Sequence, residues 1–343
     1  MVTIIGGGIA GTVLAGALAR NQHPVTVYER QTTTGTGAFV VLDGHAHQSM
    51  VELGVPLDAL HAASHEVPGF RFHYLPDGRN AVRSQGHRLY ARTELMRVLS
   101  EFAASAATDI RYDTPITDLD PTTATIYSGT TPITSDDLII AADGIDSTAR
   151  ARLEPDRQPE YAGQVVIYGS IDQHVDLPSE PSLLHFHGQL GTGPLPTSTF
   201  GHMWNDHSAY WFTRITQAPI PQEDIGFHPT ERWAQTVRTA DPTATELIDT
   251  ILANTDTVHI SNARNVAFTD AREPQLPVVL CGDADHAITP AAARGAREAI
   301  EDGAALYRAI IAGDSPAEAM AERRTQITTE RDQLARVYSR ARA

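Results

Sequence analysis

Three glycines at a fixed spacing near the start of the chain constrain its fold more than any other sequence feature. Gly6, Gly8 and Gly11 stand between an apolar, β-branched run at 2–5 and a helix-forming stretch at 12–20. In a β-α-β unit with this spacing, Gly6 allows the tight turn and Gly8 lets the backbone approach a pyrophosphate. Gly11 lets helix and strand pack closely. The pattern predicts a Rossmann unit that binds a dinucleotide.

The groups expected to contact the dinucleotide lie at both ends of this unit. Backbone N–H groups at the helix N-terminus, near Ile9 and Ala10, suit phosphate because they point outward at the positive end of the helix dipole. A second strand-like run at 25–28 ends at Glu29, where a carboxylate can accept hydrogen bonds from ribose hydroxyls. The glycine spacing alone does not separate FAD from NAD.

The chain of 343 residues is long enough for two domains or one large one, because domains commonly contain roughly 100–200 residues. Its predicted order is α/β, then mostly β, then α/β again. We therefore predict an α/β fold in which a Rossmann-type domain is interleaved in sequence with a mostly β substrate domain, ending in a long C-terminal helix. The Rossmann-type segments are 1–68, 90–160 and 264–314, the β-rich segments are 69–89 and 161–263, and the final helix is 315–343.

Local patterns predict the bounds of several further elements. These are a strand at 39–42, a short helix at 48–53, a hairpin around Pro76-Asp77-Gly78, and helices at 229–254 and 290–312. His45 and His47 fall in the loop between the first two of these elements.

Charge and cysteine content narrow the expected partners. The formal net charge is −16 and the chain contains no lysine, so all 26 of its basic residues are arginine. So acidic a surface repels phosphate backbones and anionic lipid, which argues against nucleic-acid and membrane partners. The single cysteine, Cys281, excludes an intrachain disulfide and fits a reducing cytoplasm.

Two later motifs resemble those of a known enzyme family. The segment 143–150, DGIDSTAR, resembles the Asp-Gly motif of the group A flavoprotein monooxygenases, the FAD-dependent aromatic hydroxylases. The segment 282–287, GDADHA, together with Pro290 and the segment 293–302, ARGAREAIED, resembles their second flavin motif. The Ala-Arg-Gly-Ala variant is most similar to the salicylate-hydroxylase-like branch. The resemblance covers nearly the whole chain except 161–263.

The resemblance implies that the dinucleotide is FAD and gives it further contacts. Asp283, which follows a buried strand, would meet a ribityl or ribose hydroxyl, and Arg92 would reach the ribityl chain or a phosphate. Asp143 would lie near the flavin through a hydrogen-bond network. The start of the helix expected at 290–312 would point N–H groups at the flavin pyrimidine ring, where negative charge develops on reduction. The cofactor-binding residues expected from the glycine turn and the resemblance are Gly6, Gly8, Ile9, Ala10, Gly11, Glu29, Arg30, Arg92, Asp143, Asp283, Pro290, Gly295 and Ala296.

The same resemblance implies a single-component monooxygenase that binds NAD(P)H transiently. Its reduced FAD would react with O₂ to form a C4a-hydroperoxyflavin, which hydroxylates a small aromatic or natural-product substrate. Two alternatives share these motifs. One is a flavin epoxidase or oxidative tailoring enzyme of secondary metabolism, and the other is a flavin-binding carrier or regulatory module without turnover. The protein is expected to be a cytoplasmic monomer or homodimer.

Two histidines are candidate members of the substrate pocket. The resemblance places the loop after the strand at 39–42 near the flavin, where His45 or His47 would deprotonate a phenol and activate it toward oxygen transfer. No metal site is expected, because no third ligand accompanies these histidines at a spacing typical of metal sites. Asp285 stands where the family usually has Ala, a departure that the sequence does not explain.

Overall fold

The structure is a computed structural model. It describes residues 1–32, 38–75, 80–134, 138–189, 191, 196–290 and 293–342, with the backbone alone at 335 and 337–342. The predicted turn Pro76-Asp77-Gly78 lies outside the described residues, although the strands before and after it pair antiparallel. In the described ranges, no helix combines the length and apolar composition that a bilayer span requires.

Helices alternate with strands near both ends of the chain, and strands dominate its middle. In chain order the strands are β1 (Val2–Ile5), β2 (Val25–Tyr28), β3 (Phe39–Leu42), β4 (His65–Glu66), β5 (Gly69–Phe72), β6 (Ala81–Arg83), β7 (Arg88–Ala91), β8 (Asp109–Arg111), β9 (Asp118–Asp120), β10 (Thr125–Ser128), β11 (Thr131–Thr134), β12 (Leu138–Ala141), β13 (Glu160–Ile171), β14 (Leu184–Gln189), β15 (Ser198–Trp204), β16 (Ala209–Thr216), β17 (Gly226–Pro229), β18 (Thr257–Asn265) and β19 (Val278–Leu280). The helices are α1 (Ile9–Arg20), α2 (Gly44–Glu52), α3 (Leu57–Ala62), α4 (Arg92–Ser105), α5 (Thr148–Leu153), α6 (Thr230–Ala240), α7 (Thr245–Ala253), α8 (Asp283–His286), α9 (Gly295–Ala312) and α10 (Pro316–Arg342).

A parallel sheet with the strand order β19-β12-β1-β2-β8 forms one core of the molecule. Strands β1, β2, β12 and β19 are buried along their whole length, because such apolar runs in a parallel sheet need cover on both faces. Helices α1, α9 and α10 cover one face, and the antiparallel strands β9 and β10 with α5 cover the other. The predicted α/β fold with its parallel sheet is confirmed.

A second sheet, here called the large sheet, has the order β17-β18-β13-β16-β15-β14-β5-β6. Its neighbouring strands run antiparallel, except that β14 and β5 run parallel. Helices α6 and α7 pack on one face through a core that includes Trp211. The other face meets β3 and β7, which pair with each other beside β4. The large sheet therefore turns one face toward the strand that precedes α2.

The structure corrects the predicted loop that carries two histidines. His45 and His47 lie on α2, which begins at Gly44. The helix begins there because the Asp43 side chain accepts the N–H of Ala46 at 3.0 Å, and this N-cap satisfies a donor that the first turn leaves free.

Two longer helices also differ from their predicted bounds. The helix expected at 229–254 is divided into α6 and α7, because Pro242 lacks an N–H donor and forces the preceding Asp241 into an extended conformation (φ −142°, ψ 90°). Helix α9 begins at Gly295, so Pro290 precedes the helix instead of opening it. The long C-terminal helix is present as α10.

Candidate active site

The glycine turn after β1 has the geometry that its spacing predicts. Gly6 has a φ of +100°, and a Cβ on it would lie 2.3 Å from the carbonyl oxygen of Ala142. A Cβ on Gly11 would lie 2.0 Å from the carbonyl oxygen of Gly6. A Cβ on Gly8, in contrast, would meet no atom within 4 Å. Gly6 and Gly11 thus serve the packing of the turn, whereas Gly8 faces open space in front of α1.

Glu29 and the first residues of α1 surround this turn. The Glu29 carboxylate accepts the N–H of Gly7 at 2.5 Å and a second backbone N–H at 2.7 Å, so it braces the turn directly. Ile9 and Ala10 are buried at the start of α1, where a helix leaves its first N–H groups without an intrahelical acceptor. Arg30 is exposed beside Glu29.

Asp143 follows β12 next to the glycine turn. One carboxylate oxygen accepts the N–H groups of Thr148 and Ala149 at 2.8 and 3.3 Å, and so caps α5. Its other oxygen, Oδ1, is buried and has no hydrogen-bond partner among the described residues. Burial raises the pKa of the carboxyl group, and the capping hydrogen bonds oppose that rise. A buried oxygen without a partner beside the glycine turn fits a ligand that donates to it.

Asp283 follows β19 as the first residue of α8. Its side chain is exposed, yet surrounding protein removes enough water to raise the pKa of its carboxyl group. An exposed group amid dense protein lies in a cleft. A Cβ on Gly295 would lie 3.7 Å from Asp283 Oδ1, so the first residue of α9 borders the same cleft.

Arg92, the first residue of α4, faces this cleft. Its N–H donates to the carbonyl oxygen of Ala38 at 2.9 Å, but its guanidinium has no hydrogen-bond or ion-pair partner in the described ranges. Burial raises the pKa of Asp283 and that of Tyr168, and the positive charge of Arg92 opposes this rise at both groups. Burial still raises the pKa of Tyr168 to about 12, so this phenol stays neutral. The charge of Arg92 therefore acts on one residue after the parallel sheet, Asp283, and on one residue of the large sheet, Tyr168.

The residues expected at the flavin pyrimidine ring are only partly brought together. Gly295 and Ala296 begin α9, and Ala296 packs on the core between α1 and α2. Pro290 is exposed and lies outside the helix. Arg294 and Arg297 pair with carboxylates, Arg294 with Glu298 and Glu330, and Arg297 with Asp43, Glu301 and Glu330. These two arginine side chains are thus engaged within the protein.

The candidate base residues differ in environment. His45 is exposed on α2. His47 is buried, with Nδ1 2.8 Å from the carbonyl oxygen of Asp43 and Nε2 2.7 Å from the hydroxyl of Tyr90. Burial lowers the pKa of His47, so it is neutral, donates from Nδ1 and accepts at Nε2. A base role for either histidine stays a prediction. Among the described residues, no three His, Cys, Asp or Glu side chains are arranged to hold a metal ion.

The large sheet presents a row of aromatic side chains on the face that meets β3. Cross-strand partners in register place Tyr168, Phe212, Gly201, Phe186 and Phe72 at one level across β13, β16, β15, β14 and β5. A Cβ on Gly201 would lie 2.3 Å from the Phe212 ring, so this glycine lets the ring lie over the backbone of β15. The rings of Phe72 and Phe186 stack at 5.0 Å. We call this set the aromatic row.

Two contacts locate the aromatic row. The ring of Phe39 on β3 lies 6.1 Å from that of Phe212, and Phe39 follows Ala38, which accepts the N–H of Arg92. Arg214, two residues after Phe212 on the same face, places its guanidinium 5.0 Å from the Phe212 ring centre. The row thus borders the Arg92 cleft and carries a cation at its edge.

Arg150 joins the two later motifs, a role that sequence reasoning missed. The side chain is 2% exposed and donates to the carbonyl oxygens of Ala284 at 2.8 Å and of Arg157 at 3.0 Å. The sequence places Arg150 inside the first motif but cannot show its partner, which lies 134 positions further along the chain.

Four observations fit a dinucleotide at the carboxyl ends of β1, β12 and β19. They are the open space at Gly8, the unpartnered Asp143 oxygen, the Arg92 guanidinium without a partner among the described residues, and the position of Asp283 in a cleft. Open parallel sheets bind ligands at this edge.

Comparison with known proteins identifies the ligand. A family model described as FAD binding domain matches residues 1–338. The chain belongs to this FAD-binding family. It is similar to kynurenine 3-monooxygenase of Salinispora arenicola (strain CNS-205), with 25% identity over 93% of this chain and 74% of the relative. It is also similar to 6-hydroxynicotinate 3-monooxygenase of Pseudomonas fluorescens, with 24% identity over 90% of this chain and 82% of the relative.

A solved structure shares the fold. The crystal structure of CtdE in complex with FAD and substrate 4 has a TM-score of 0.79 and 18% identity, covering 99% of this chain and 88% of that one. The family match and these relatives show that the protein is a group A FAD-dependent monooxygenase, an oxidoreductase; hydroxylation with NAD(P)H and O₂ is typical of this family. The predicted family, cofactor and enzyme class are confirmed. The branch within the family, the domain bounds and the roles of individual site residues stay predictions.

Proposed function

We propose that this monooxygenase hydroxylates a small aromatic carboxylate, bound between the aromatic row and the flavin. Arg214 carries the proposal. It places a guanidinium 5.0 Å from the Phe212 ring centre, on the sheet face that meets β3. A flat substrate that stacks on the row would bring an anionic substituent to that cation, and guanidinium matches carboxylate in shape and charge. The relative that acts on 6-hydroxynicotinate supports this class, because a nicotinate is an aromatic carboxylate.

The proposal assigns the FAD contacts residue by residue. The N–H groups at the start of α1, around Gly8, Ile9 and Ala10, would hold the pyrophosphate. Glu29, which already braces the turn, retains lone pairs for ribose hydroxyls. Asp283 would hold a ribityl or ribose hydroxyl.

Four further residues complete the proposed cofactor site. Arg92 would hold the ribityl chain or a phosphate. Asp143 Oδ1 would accept a hydrogen bond from the ligand or from a water bound to it. The backbone at Gly295 and Ala296 would meet the flavin pyrimidine ring.

FAD supplies the redox chemistry by taking electrons from NAD(P)H and activating O₂. The chain's own residues bind and orient the reactants. Stacking of the substrate on the aromatic row would exclude water from one ring face. Contact between its carboxylate and Arg214 would fix which ring carbon faces the flavin.

A turnover experiment tests the proposal. FAD-loaded enzyme is given NADH or NADPH with hydroxylated benzoates and pyridine carboxylates, each beside its neutral carboxamide. We expect a carboxylate to stimulate NAD(P)H oxidation and to gain one oxygen atom by mass spectrometry. Stimulation by no compound would overturn the aromatic carboxylate as the substrate class, and an epoxide product would indicate the tailoring alternative. Equal stimulation by acid and amide would remove the carboxylate from the proposal.

A variant pair tests the role of Arg214. Arg214→Gln should raise KM for the carboxylate by about 10–100-fold, because a hydrogen bond to a charged group contributes about 1.5–3 kcal/mol. KM for the carboxamide should change little. The control is Arg238→Gln on α6, which lies across the sheet and pairs with Asp249 at the surface. An unchanged acid-to-amide ratio in Arg214→Gln would assign the carboxylate to another residue.

We further propose that the enzyme works in a reducing cytoplasm as a monomer or homodimer. The buried, unpaired Cys281 supports the reducing compartment.

A further inference from the structure

Two neighbouring arginines on α10 reach buried carboxylates on two different helices. Arg323 Nε donates to Asp302 Oδ1 on α9 at 3.0 Å. Arg324 donates through Nε and Nη2 to Asp285 on α8 at 2.9 and 2.7 Å. Asp302 and Asp285 are 0% and 1% exposed. Adjacent helical residues point in directions about 100° apart, so α10 lies across the groove between α8 and α9.

Asp302 connects α10 to the turn that carries Asp283. Its Oδ2 accepts the N–H of Gly282 at 3.0 Å and lies 2.6 Å from His286 Nε2. Gly282 precedes Asp283 and has a φ of +60°, in the left-handed region. Asp302 thus binds both ends of α8, whose first residue is Asp283. A shift of this carboxylate would rotate the turn that aims the Asp283 side chain.

The contact between His286 and Asp302 is strengthened by charge. Although burial lowers the pKa of His286, the charge and hydrogen bond of Asp302 raise it overall. His286 Nε2 donates to Asp302, and Nδ1 lies 3.8 Å from a Glu298 carboxylate oxygen. Arg331 on α10 pairs with Glu298 at 2.6 Å and donates to the His286 carbonyl oxygen at 2.8 Å. Arg331 on α10 therefore balances the charge of Glu298 on α9.

Asp285 is the second buried carboxylate that an arginine of α10 contacts. Arg157, after α5, pairs with Asp285 at 2.8 Å from one side while Arg324 pairs with it from the other. This explains the Asp at a position where the family usually has Ala. A buried carboxylate without a cationic partner would destabilise the fold through its desolvation free energy. Here two guanidinium groups form ion pairs with its oxygens.

We propose that α10 is a clamp that sets FAD affinity, with Arg323 and Asp302 as positioning residues for the Gly282–Asp283 turn. The inference rests on the proposed role of Asp283 in holding FAD. Arg323 fixes one oxygen of Asp302, and the other oxygen fixes the turn. Both residues are buried and would act on the cofactor only through this turn.

The test compares FAD affinity with the stability of the apoprotein. Arg323→Gln should weaken FAD binding about tenfold. Kd is measured by flavin fluorescence at 10 °C, and folding of the apoprotein at that temperature is checked by circular dichroism. Arg323→Lys, which keeps the charge, should recover part of the affinity. The control is Arg308→Gln on α9, since Arg308 pairs with Glu52 at the surface and should leave Kd unchanged.

The outcomes separate positioning from stability alone. A lower melting temperature with unchanged Kd in Arg323→Gln would overturn the inference. If that variant fails to fold, the double change Arg323→Gln with Asp302→Asn decides, because it removes both charges of the ion pair and leaves no unpaired guanidinium at this position. An unchanged Kd in the double variant would also overturn the clamp. Wild-type protein that binds no FAD would instead overturn the proposed function.

Discussion

Gly8 and Gly11 differ in what a single methyl group would meet. A Cβ on Gly8 enters open space, whereas a Cβ on Gly11 would lie 2.0 Å from a backbone oxygen. The backbone of Gly8, with a φ of −76°, suits alanine. A side chain at position 8 would therefore meet only a molecule that approaches α1 from outside, whereas a side chain at position 11 would disturb the packing of the turn itself.

This contrast gives a prediction for two alanine variants. Gly8→Ala should change the free energy of unfolding of the apoprotein by less than about 1 kcal/mol, because it alters only an N-cap position. If the pyrophosphate binds at the start of α1 as proposed, the methyl group would occupy its path, and FAD affinity should fall at least about tenfold. Gly11→Ala should destabilise the apoprotein by about 1–3 kcal/mol or more through overpacking. Urea unfolding and FAD titration measure both quantities. Wild-type FAD affinity in Gly8→Ala would place the pyrophosphate elsewhere.

Sequence reasoning located residues whose packing depends on local spacing. Gly6, Gly11 and Glu29 lie where the glycine pattern predicts, because the β-α-β turn is built from neighbouring residues. Arg150 and Asp302 were not predicted as connectors, since their partners lie far along the chain or depend on how helices pack. A sequence shows a charged residue but not the carboxylate or carbonyl that it will meet.

Within the large sheet, a histidine stack lies on the face opposite the aromatic row. It consists of His73, His185, His187 and His202, whose rings stack at 4.0 Å between His73 and His187 and at 4.8 Å between His185 and His202. The stack lies beside Asp241, which is fully buried 3.9 Å from His187 Nδ1. Successive side chains of a strand point to opposite faces of the sheet. His185 and His187 flank Phe186 on β14, so they lie on the face opposite the aromatic row.

The histidine stack should make the fold acid-sensitive. Burial lowers the pKa of His187 to about 4 and that of His202 well below its usual range. In the unfolded chain a histidine has a pKa near 6.5, so between about pH 6.5 and 4 the unfolded state binds more protons and stability falls as pH falls. His187 alone should cost about 2 kcal/mol at pH 5 relative to pH 7.5.

A variant isolates this effect from other titrating groups. Urea unfolding from pH 7.5 to pH 5 should show a shallower loss of stability in His187→Gln than in the wild type. His174→Gln is the control, because the His174 side chain is 50% exposed outside the stack. Parallel stability curves for wild type and His187→Gln would show that another group drives acid sensitivity.

Predicted elements matched the structure best where the pattern was local and apolar. Strands β1 and β2 have the predicted bounds. Helix α2 was placed too late, because its first turn carries polar histidines and depends on a cap by Asp43. The parallel pairing of β5 with β14 joins segments more than a hundred positions apart, and no local periodicity encodes such a contact.

Across the whole molecule, the proposed FAD site lies where the parallel sheet meets the large sheet. The charge of Arg92 acts on Asp283 beside the parallel sheet and on Tyr168 of the large sheet. Arg264 on β18 pairs with Asp146 in the first flavin motif at 2.6 Å. The predicted order of α/β and β segments agrees with this layout. The strand order within each sheet did not follow from the sequence, because it depends on long-range pairing.

The positions of the tryptophans allow the coupling between the two sheets to be measured. Trp204 and Trp211 lie on the large sheet and Trp233 on α6, which covers it, and these are the three tryptophans of the chain. Their fluorescence therefore reports unfolding of the large sheet, whereas most proposed FAD contacts lie on the parallel sheet.

If FAD holds the two sheets together, adding it at 100 times its Kd should raise the free energy of unfolding by about 2.7 kcal/mol. This increase should be the same whichever spectroscopic signal is used to follow unfolding. The tryptophan-monitored and far-ultraviolet circular dichroism midpoints should then rise together. Arg92→Gln, which removes the cation between the sheets, should uncouple them, so that FAD moves the tryptophan midpoint less than the dichroism midpoint. If the tryptophan-monitored midpoint of the wild type does not change when FAD is added, the large sheet unfolds independently, as a separate substrate domain. Its contacts with the flavin would then contribute little to the free energy of unfolding.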